Sequence, residues 1–227
     1  MKIAGLQKLT LLDYPGKTAC TVFFGGCNFR CPFCHNWELL DGSYPAQMEE
    51  DELLSFLKKR KGMLEGVCIT GGEPLISDAI IPLLQKIRDM GYSIKIDTNG
   101  SFPDRLKSII DLGLADYVAM DIKNSPEKYK ETAGGFSDME KIEKSIDLLI
   151  NGDIDYEFRT TVVNELHTKE DFHAMGNMIS GAEKWFLQKF ADRDTVPFKG
   201  FNAPDADSVR EYADIMRKYV KCVEIRG

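Results

Sequence analysis

Residues Thr18–Cys34 read TACTVFFGGCNFRCPFC, and the rest of the chain is interpreted from this stretch. Its first part, Thr18–Phe24, is rich in β-branched and aromatic residues and predicts a buried strand. Its second part places three thiols within eight residues, at Cys27, Cys31 and Cys34. A loop of this kind can wrap its sulfurs around one metal centre.

The number of thiols in this loop narrows the kind of metal centre. A closed structural zinc site takes four Cys or His ligands, and His35 is adjacent to Cys34, so the two side chains would rarely reach the same ion. An iron–sulfur cube held by three thiolates leaves one iron open to another ligand. The spacing therefore favours a 4Fe–4S cluster, with a structural zinc site or three incidental thiols as the alternatives.

Composition indicates an ordinary globular protein. The 227 residues, 43% hydrophobic and 29% charged, suit one domain over 1–227. The net charge of −7 gives no nucleic-acid footprint, and no apolar run predicts a signal peptide or a membrane span. The other cysteines, Cys20, Cys68 and Cys222, are scattered in strand-like contexts. Free thiols in a reducing compartment fit this pattern, so we expect a cytoplasmic protein.

Strand-like and helix-like segments alternate about six times along the chain. The predicted strands are Thr18–Phe24, Gly66–Thr70, Ser93–Asp97, Tyr117–Asp121, Asp155–Val163 and Lys184–Lys189. The predicted helices are Met48–Lys61, Ile76–Met90, Pro103–Leu112, Ser137–Ile150, Thr168–Ile179 and Asp205–Val220. This alternation predicts an α/β fold of parallel β/α units, fewer than the eight of a closed barrel.

Polar residues and glycines follow or end the predicted strands. They are Gly71-Gly72-Glu73-Pro74, Asp97-Thr98-Asn99-Gly100, Asp121-Ile122-Lys123 and Arg159. In α/β folds the chemistry collects at the carboxyl ends of the strands, so we expect a site there. Each segment taken alone also fits a turn with a capping acid, and Arg159 also fits a plain salt bridge. His167 and His173 are interpreted as surface residues.

The cysteine spacing, with Phe33 before the last cysteine, resembles the signature of the radical S-adenosylmethionine (radical SAM) superfamily. The flanks Thr21–Cys27 and Cys34-His35-Asn36 are similar to those of the glycyl-radical-enzyme activases. Asp13–Lys17 is most similar to anaerobic ribonucleoside-triphosphate reductase activating proteins. The resemblance implies an open six-unit (β/α)6 partial TIM barrel with a mostly parallel sheet.

The resemblance also implies roles for individual residues. Cys27, Cys31 and Cys34 would bind the 4Fe–4S cluster. The residues implied to contact S-adenosylmethionine are Phe33, Gly71, Gly72, Glu73, Asp97, Lys123 and Arg159. Asp97, Thr98 and Asp121 would hold a monovalent cation. Activases carry a histidine near the end of the sixth strand where this chain has Gln188, which weakens the assignment to pyruvate formate-lyase in particular.

The implied activity is reductive cleavage of S-adenosylmethionine to a 5′-deoxyadenosyl radical, which then makes a glycyl radical on a partner enzyme. The expected partner is anaerobic ribonucleoside-triphosphate reductase, and the expected electron donor is flavodoxin or ferredoxin. One alternative is an activase of a pyruvate formate-lyase-like enzyme. Another is a radical SAM enzyme acting on a small molecule or another peptide, and a third is a non-enzymatic metal-binding protein. No role for His35, Asn36 or Gln188 follows from the sequence.

Overall fold

The computed structural model describes residues 3–41 and 43–226. Its strands are β1 (Ile3–Thr10), β2 (Ala19–Phe24), β3 (Gly66–Gly71), β4 (Ser93–Thr98), β5 (Tyr117–Asp121), β6 (Asp155–Val162), β7 (Lys184–Lys189) and β8 (Cys222–Arg226). Its α-helices are α1 (Glu50–Lys59), α2 (Ile80–Asp89), α3 (Pro103–Asp111), α4 (Tyr129–Thr132), α5 (Met139–Ile150), α6 (Lys169–Met178) and α7 (Ala206–Met216). Short 3₁₀ turns lie at Trp37–Leu39 and Pro74–Ile76.

The eight strands stand in the sheet in chain order, from β1 to β8. β1 pairs with β2 antiparallel, whereas β2 pairs with β3 and β3 with β4 in parallel. β6, β7 and β8 are also parallel neighbours. The fold is therefore α/β with a mostly parallel sheet, as the sequence predicts.

The chain divides into two compact units. The first contains the residues up to Asn28 together with 38–98 and 102–119. The second contains 29–37, 99–101 and the residues from Met120 onward. The prediction of one domain over 1–227 stays a prediction.

The core of the first unit is built on buried parallel strands. Val22, Ile69 and Ile96 are completely buried, and Val22 is paired with Ile69 and Ile69 with Ile96 in the register. Strands that are apolar throughout are expected where helices cover both faces of a sheet. Helix α1 contributes Leu53 and Leu57, which lie one turn apart on its buried face.

The core of the second unit is more aromatic. Trp185 of β7 and Phe158 of β6 are completely buried and stand opposite each other in the register. Phe172 of α6 stacks on Tyr212 of α7, with the ring centroids 4.2 Å apart. These rings fix the two helices that follow β6 and β7, and they thereby hold the carboxyl ends of those strands.

Two strands were not predicted from the sequence. β1 and β8 are the first and last strands in the sheet order, and each has one strand neighbour there. The pattern of β1 is irregular, because its register with β2 shifts twice. The predicted strands and helices otherwise match observed ones to within a few residues. In the part of the chain described here, no helix is both long enough and apolar enough to span a membrane.

Candidate active site

The backbone at Cys27 is fixed within the first unit by the segment that follows the cysteine loop. The Gly26 N–H donates a hydrogen bond to the Leu39 carbonyl (2.6 Å), and the Cys27 N–H donates to the Leu40 carbonyl (3.0 Å). Cys27 is half-buried. These bonds set the point at which the chain leaves β2 and the cysteine loop begins.

The turn at Gly71 and Gly72 packs against the same stretch. The Gly72 N–H donates to the Phe24 carbonyl and the Glu73 N–H to the Gly26 carbonyl, both at 2.8 Å. A Cβ on Gly72 would lie 2.1 Å from the Gly26 oxygen, and one on Gly71 would lie 2.3 Å from the Phe24 backbone. Gly71 also has a φ of +124°, which side chains rarely allow. Both positions therefore require glycine, and the turn that they form packs against the backbone that leads into the cysteine loop.

Glu73 is completely buried at the end of β3. Its Oε1 accepts a hydrogen bond from the Leu75 N–H (3.0 Å) and another from the Thr98 hydroxyl (2.9 Å). A buried carboxylate is orientated by such donors. Two of the predicted site residues, Glu73 and Thr98, are thus in direct contact, and they join the end of β3 to the end of β4.

Asp97 lies beside Thr98 on β4 and has a charged partner. Lys95, two residues earlier, projects from the same side of the strand and forms an ion pair with the Asp97 carboxylate. The Lys95 side chain is 2% exposed and that of Asp97 is 13% exposed. Lys95 Nζ also lies 4.0 Å from Cys68 Sγ. Lys95 was not among the predicted site residues. The alternation of side chains along β4 places it on the same face as Asp97 and could have identified it.

Cys31 and Cys34 lie in the second unit and are joined by a tight turn. The Cys34 N–H donates to the Cys31 carbonyl (3.1 Å), and Phe33 packs edge-on against Phe190 with the centroids 6.5 Å apart. Burial raises the pKa of the Cys31 thiol to about 11, although the positive charge of Lys123 acts to lower it. Burial raises the pKa of the Cys34 thiol as well. Iron binding would therefore displace a proton from either sulfur.

A three-charge group stands at the end of β5. Asp121 accepts from Lys123 Nζ at 2.9 Å and from Arg159 Nε, on β6, at 3.0 Å. Burial raises the pKa of the Asp121 carboxyl, but the charges and hydrogen bonds of its two cationic partners outweigh burial and lower it to about 2. Burial lowers the pKa of the Lys123 ammonium, but Asp121 raises it above its ordinary value. The structure thus brings Asp121, Lys123 and Arg159 together as a fully ionised group.

His35, for which no role was predicted, is held by the segment after β7. Its ring stacks on Phe190, with the centroids 5.7 Å apart and the planes within 5°. Its Nε2 lies 2.7 Å from the Ala191 carbonyl, to which it donates. His35 thus anchors the residue directly after Cys34. Only the tertiary structure shows this contact, because 156 residues separate His35 from Ala191.

The prediction that His167 lies on the surface is wrong. His167 is 2% exposed, because it packs against Phe172 of α6. The Val163 N–H donates to its Nδ1 (3.1 Å), so its Nε2–H donates to the Lys123 carbonyl (2.9 Å). Burial lowers the pKa of the His167 imidazole, which favours the neutral form of the ring. His167 therefore supports the backbone at Lys123.

The six cysteines all lie within the described residues, and none of them is in a disulfide. Among residues 3–41 and 43–226, no group of three or more His, Cys, Asp or Glu side chains is arranged so that it could hold a metal ion. The cluster at Cys27, Cys31 and Cys34 and the cation at Asp97, Thr98 and Asp121 therefore stay predictions.

Comparison with known proteins identifies relatives over nearly the whole chain. Residues 21–179 match the Radical SAM superfamily. A protein of Methanocaldococcus jannaschii, provisionally named a glycyl-radical enzyme activating enzyme, is 32% identical over 99% of this chain and 95% of its own. A pyruvate formate-lyase-activating enzyme of Clostridium pasteurianum is 30% identical over 78% of this chain and 76% of its own. A 7-carboxy-7-deazaguanine synthase of Clostridium acetobutylicum is 32% identical, but over only 52% of this chain and 54% of its own.

Solved structures share the fold at low sequence identity. A domain of a pyruvate-formate lyase-activating enzyme from Bacteroides vulgatus has a TM-score of 0.57 at 17% identity, covering 71% of this chain and 99% of that domain. SuiB of Streptococcus suis, bound to its precursor peptide SuiA, has a TM-score of 0.66 at 13% identity, covering 91% of this chain and 48% of SuiB. These similarities confirm the predicted partial-barrel fold class. The chain belongs to the Radical SAM superfamily, in the family of the glycyl-radical enzyme activating enzymes.

Proposed function

We propose that this chain is an activase that uses a 4Fe–4S cluster and S-adenosylmethionine to generate a glycyl radical on a partner enzyme. The observation that carries the proposal is the 32% identity to a glycyl-radical enzyme activating enzyme over 99% of the chain. Family membership makes the chain an oxidoreductase of the radical SAM type. The finer assignments below concern its cofactors, residues and partner.

The cluster ligands in the proposal are Cys27, Cys31 and Cys34, which would hold three irons and leave the fourth for S-adenosylmethionine. The donor set fits this group, because thiolates are the ligands of such clusters, none of the three cysteines is in a disulfide, and three thiolates leave one iron open. When bound, the cluster supplies the electron that splits the sulfonium carbon–sulfur bond, giving methionine and a 5′-deoxyadenosyl radical.

The chain's own side chains bind and orient the cofactor in this proposal. The glycines at 71 and 72 keep the turn free of side chains, so that the backbone can approach the methionine moiety. The Glu73 carboxylate, orientated by Leu75 and Thr98, would accept a hydrogen bond from its ammonium group. Lys123, held by Asp121, would donate to a carboxylate or a ribose hydroxyl. The remaining proposed contacts are Phe33, Asp97 and Arg159.

A monovalent cation at Asp97, Thr98 and Asp121 is a separate part of the proposal. The ion pairs of Asp97 with Lys95 and of Asp121 with Lys123 compete with such a cation for carboxylate oxygens. S-Adenosylmethionine should bind more tightly in potassium buffer than in tetramethylammonium buffer of equal ionic strength. Equal affinities in the two buffers would remove the cation from the proposal.

The proposed partner is anaerobic ribonucleoside-triphosphate reductase, and the proposed electron donor is flavodoxin or ferredoxin. We infer a cytoplasmic location from six cysteines without a disulfide, since a reducing compartment keeps disulfides from forming. The partner enzyme provides the glycine Cα from which hydrogen is abstracted.

A second candidate function is radical chemistry on a small molecule. It is favoured by the 32% identity to a 7-carboxy-7-deazaguanine synthase, which extends over about half of each chain. The activase assignment has the broader support, because its relatives cover 99% and 78% of this chain.

The test is anaerobic reconstitution with iron and sulfide, followed by reduction with S-adenosylmethionine and the candidate reductase. The expected result is 5′-deoxyadenosine together with the doublet of a glycyl radical in the electron paramagnetic resonance (EPR) spectrum. Cys31→Ala should abolish both signals, and Cys222→Ala, outside the loop, should leave both unchanged. Cofactor cleavage without a doublet on any glycyl-radical enzyme would favour the small-molecule candidate.

A further inference from the structure

Tyr129 has a hydroxyl group that the proposed function does not use. The side chain is completely buried. Within the part of the chain that the structure describes, its Oη makes no hydrogen bond of normal geometry: the Lys123 N–H is a near donor, and no group accepts the hydroxyl proton. Buried hydroxyls in folded proteins nearly always have a partner, because leaving one unpaired loses the hydrogen bonds that it makes in water. A buried hydroxyl whose proton has no acceptor in the chain therefore indicates an acceptor from outside it.

The residues directly after α4, the helix that carries Tyr129, pack against the cysteine loop. The Arg30 N–H donates to the Ala133 carbonyl at 3.0 Å. Gly134, which has a φ of +67°, allows this approach, since a Cβ there would lie 2.0 Å from the Arg30 oxygen. The segment after α4 thus lies against the residue that precedes Cys31.

Aromatic packing fixes the ring of Tyr129 as well. Phe29 meets the Tyr129 ring edge-on, with the centroids 6.4 Å apart and the planes at 87°. Phe136 also packs against Phe29, with the two ring centroids 4.5 Å apart. The hydroxyl is therefore held by the same packing that holds the loop before Cys31.

The groups around the hydroxyl identify the kind of partner. Burial raises the pKa of the Tyr129 hydroxyl far above its ordinary range, and Lys123, Cys31 and Asp121 are the charged or ionisable neighbours that perturb it. At neutral pH the hydroxyl keeps its proton and can donate it in a hydrogen bond. The acceptor that the proposed function brings to this place is a thiolate or sulfide of the cluster bound at Cys31.

We propose that the Tyr129 hydroxyl donates a hydrogen bond to a sulfur of the iron–sulfur cluster that Cys31 would bind, and that it raises the reduction potential of that cluster. The inference rests on the proposed function. Hydrogen bonds to cluster sulfurs are one of the determinants of the potential, and a donor stabilises the more negative, reduced state. Tyr129 would thereby make the reduced cluster easier to reach for the external electron donor.

The test variant is Tyr129→Phe, which keeps the ring and its contact with Phe29. The matched control is Tyr14→Phe. The Tyr14 hydroxyl is also buried, has one near donor, Ser93, and has no acceptor in the described chain. Its ring lies at Gly66, the first residue of β3, away from the Gly71 end of that strand. The midpoint potential is measured by EPR-monitored redox titration of the reconstituted proteins, and iron and sulfide per chain are determined for each.

The expected result is unchanged iron and sulfide content in both variants and a lower midpoint potential in Tyr129→Phe alone. In the protein without cluster, Tyr129→Phe should lower the urea midpoint no more than Tyr14→Phe does, because each hydroxyl has one near donor and neither has an acceptor for its proton in the described chain. A clearly larger loss in Tyr129→Phe would show an acceptor within the protein and overturn the inference.

Two other outcomes are equally decisive. An unchanged potential in Tyr129→Phe would overturn the inference and leave the proposed function standing. The same holds if the unchanged potential is accompanied by a higher KM for S-adenosylmethionine. A wild-type chain that takes up no iron and sulfide would overturn both.

Discussion

Each unit of the molecule contains a lysine–aspartate pair two residues apart, and the two pairs have opposite order. In the first unit Lys95 precedes Asp97 on β4, and in the second Asp121 precedes Lys123 at the end of β5. The order decides which charge stands nearer the carboxyl end of the strand. That charge is the carboxylate of Asp97 in the first unit and the ammonium of Lys123 in the second.

The surroundings of the two pairs differ as much as their order. Lys95 is 2% exposed within its strand, whereas Lys123 is 16% exposed and lies two residues beyond its strand. Asp121 also has a second cation, Arg159. We infer that Lys95 serves chiefly to balance the mostly buried Asp97 carboxylate, whereas Lys123 is the lysine that the proposed function places in the cofactor site. This contrast makes separate predictions for stability and for cofactor binding.

The largest effect on stability is expected for Lys95→Met. Removing one partner of a buried ion pair leaves the other charge uncompensated, which costs about 3–5 kcal/mol. The free energy of unfolding from urea titration should fall by that amount. Lys107→Met, which removes an exposed pair with Asp111, should change it too little to measure.

The double variant Lys95→Met/Asp97→Leu sharpens this prediction. With both charges absent, most of the lost stability should return, because the cost comes from the acid that has lost its ion pair with Lys95. If the double variant were less stable than Lys95→Met alone, Lys95 would contribute by packing and the contrast between the pairs would fail.

Lys123→Met is expected to have a smaller effect on stability and a larger one on binding. Arg159 still pairs with Asp121, so the loss should be that of one hydrogen bond to a charged group, roughly 1.5–3 kcal/mol. S-Adenosylmethionine affinity, measured by isothermal titration on the reconstituted protein, should fall by tenfold or more, because 1.4 kcal/mol corresponds to a factor of ten. Wild-type affinity in this variant would remove Lys123 from the binding site.

Much of this arrangement could be predicted from the sequence. The β/α alternation gave six strands and six helices close to their observed positions, because parallel strands are apolar throughout and the helices carry a clear apolar face. Gly71 and Gly72 were found by their motif, and the structure shows why both must be glycine. The acid and lysine at 121 and 123 were likewise placed at a strand end, where they are observed.

The residues that sequence reasoning missed depend on packing between distant segments. His167 was interpreted as a surface residue, because nothing near it in the chain shows that Phe172 and the Lys123 carbonyl enclose it. Edge strands such as β8 have a single neighbour and carry exposed polar residues, which weakens their pattern. Tyr129 was not singled out as a site residue, since α4 is only four residues long and indicates no more than a short turn.

Stability should also depend on pH through His167, whose ring is hydrogen-bonded to the Lys123 carbonyl. Burial lowers the pKa of its imidazole in the fold, so the unfolded chain binds the proton more readily. The contribution of the neutral ring is fully present above the ordinary value of 6.5 and is lost as the pH falls from there towards the lower pKa of the folded state.

The free energy of unfolding should therefore decline between pH 7 and pH 5 in the wild type and decline less in His167→Gln. Glutamine keeps a donor for the Lys123 carbonyl but does not titrate. His173→Gln, in the same helix, is the control and should retain the wild-type decline. A decline of the same size in His167→Gln would assign the pH dependence to other groups.

The smallest effect is expected at His35, which fixes the loop of the second unit after Cys34. Two variants separate its contacts. His35→Phe keeps the stack on Phe190 and loses the hydrogen bond to Ala191, whereas His35→Gln keeps a donor and loses the stack. Each should lower the free energy of unfolding by about 0.5–1.5 kcal/mol, the usual contribution of a single hydrogen bond or aromatic pair. If His35 positions the loop, both variants should also incorporate iron more slowly than the wild type during reconstitution, while His173→Gln should not. Normal incorporation in both would limit His35 to a structural contact and leave Lys123 and Asp121 as the charged neighbours that the structure describes at Cys31.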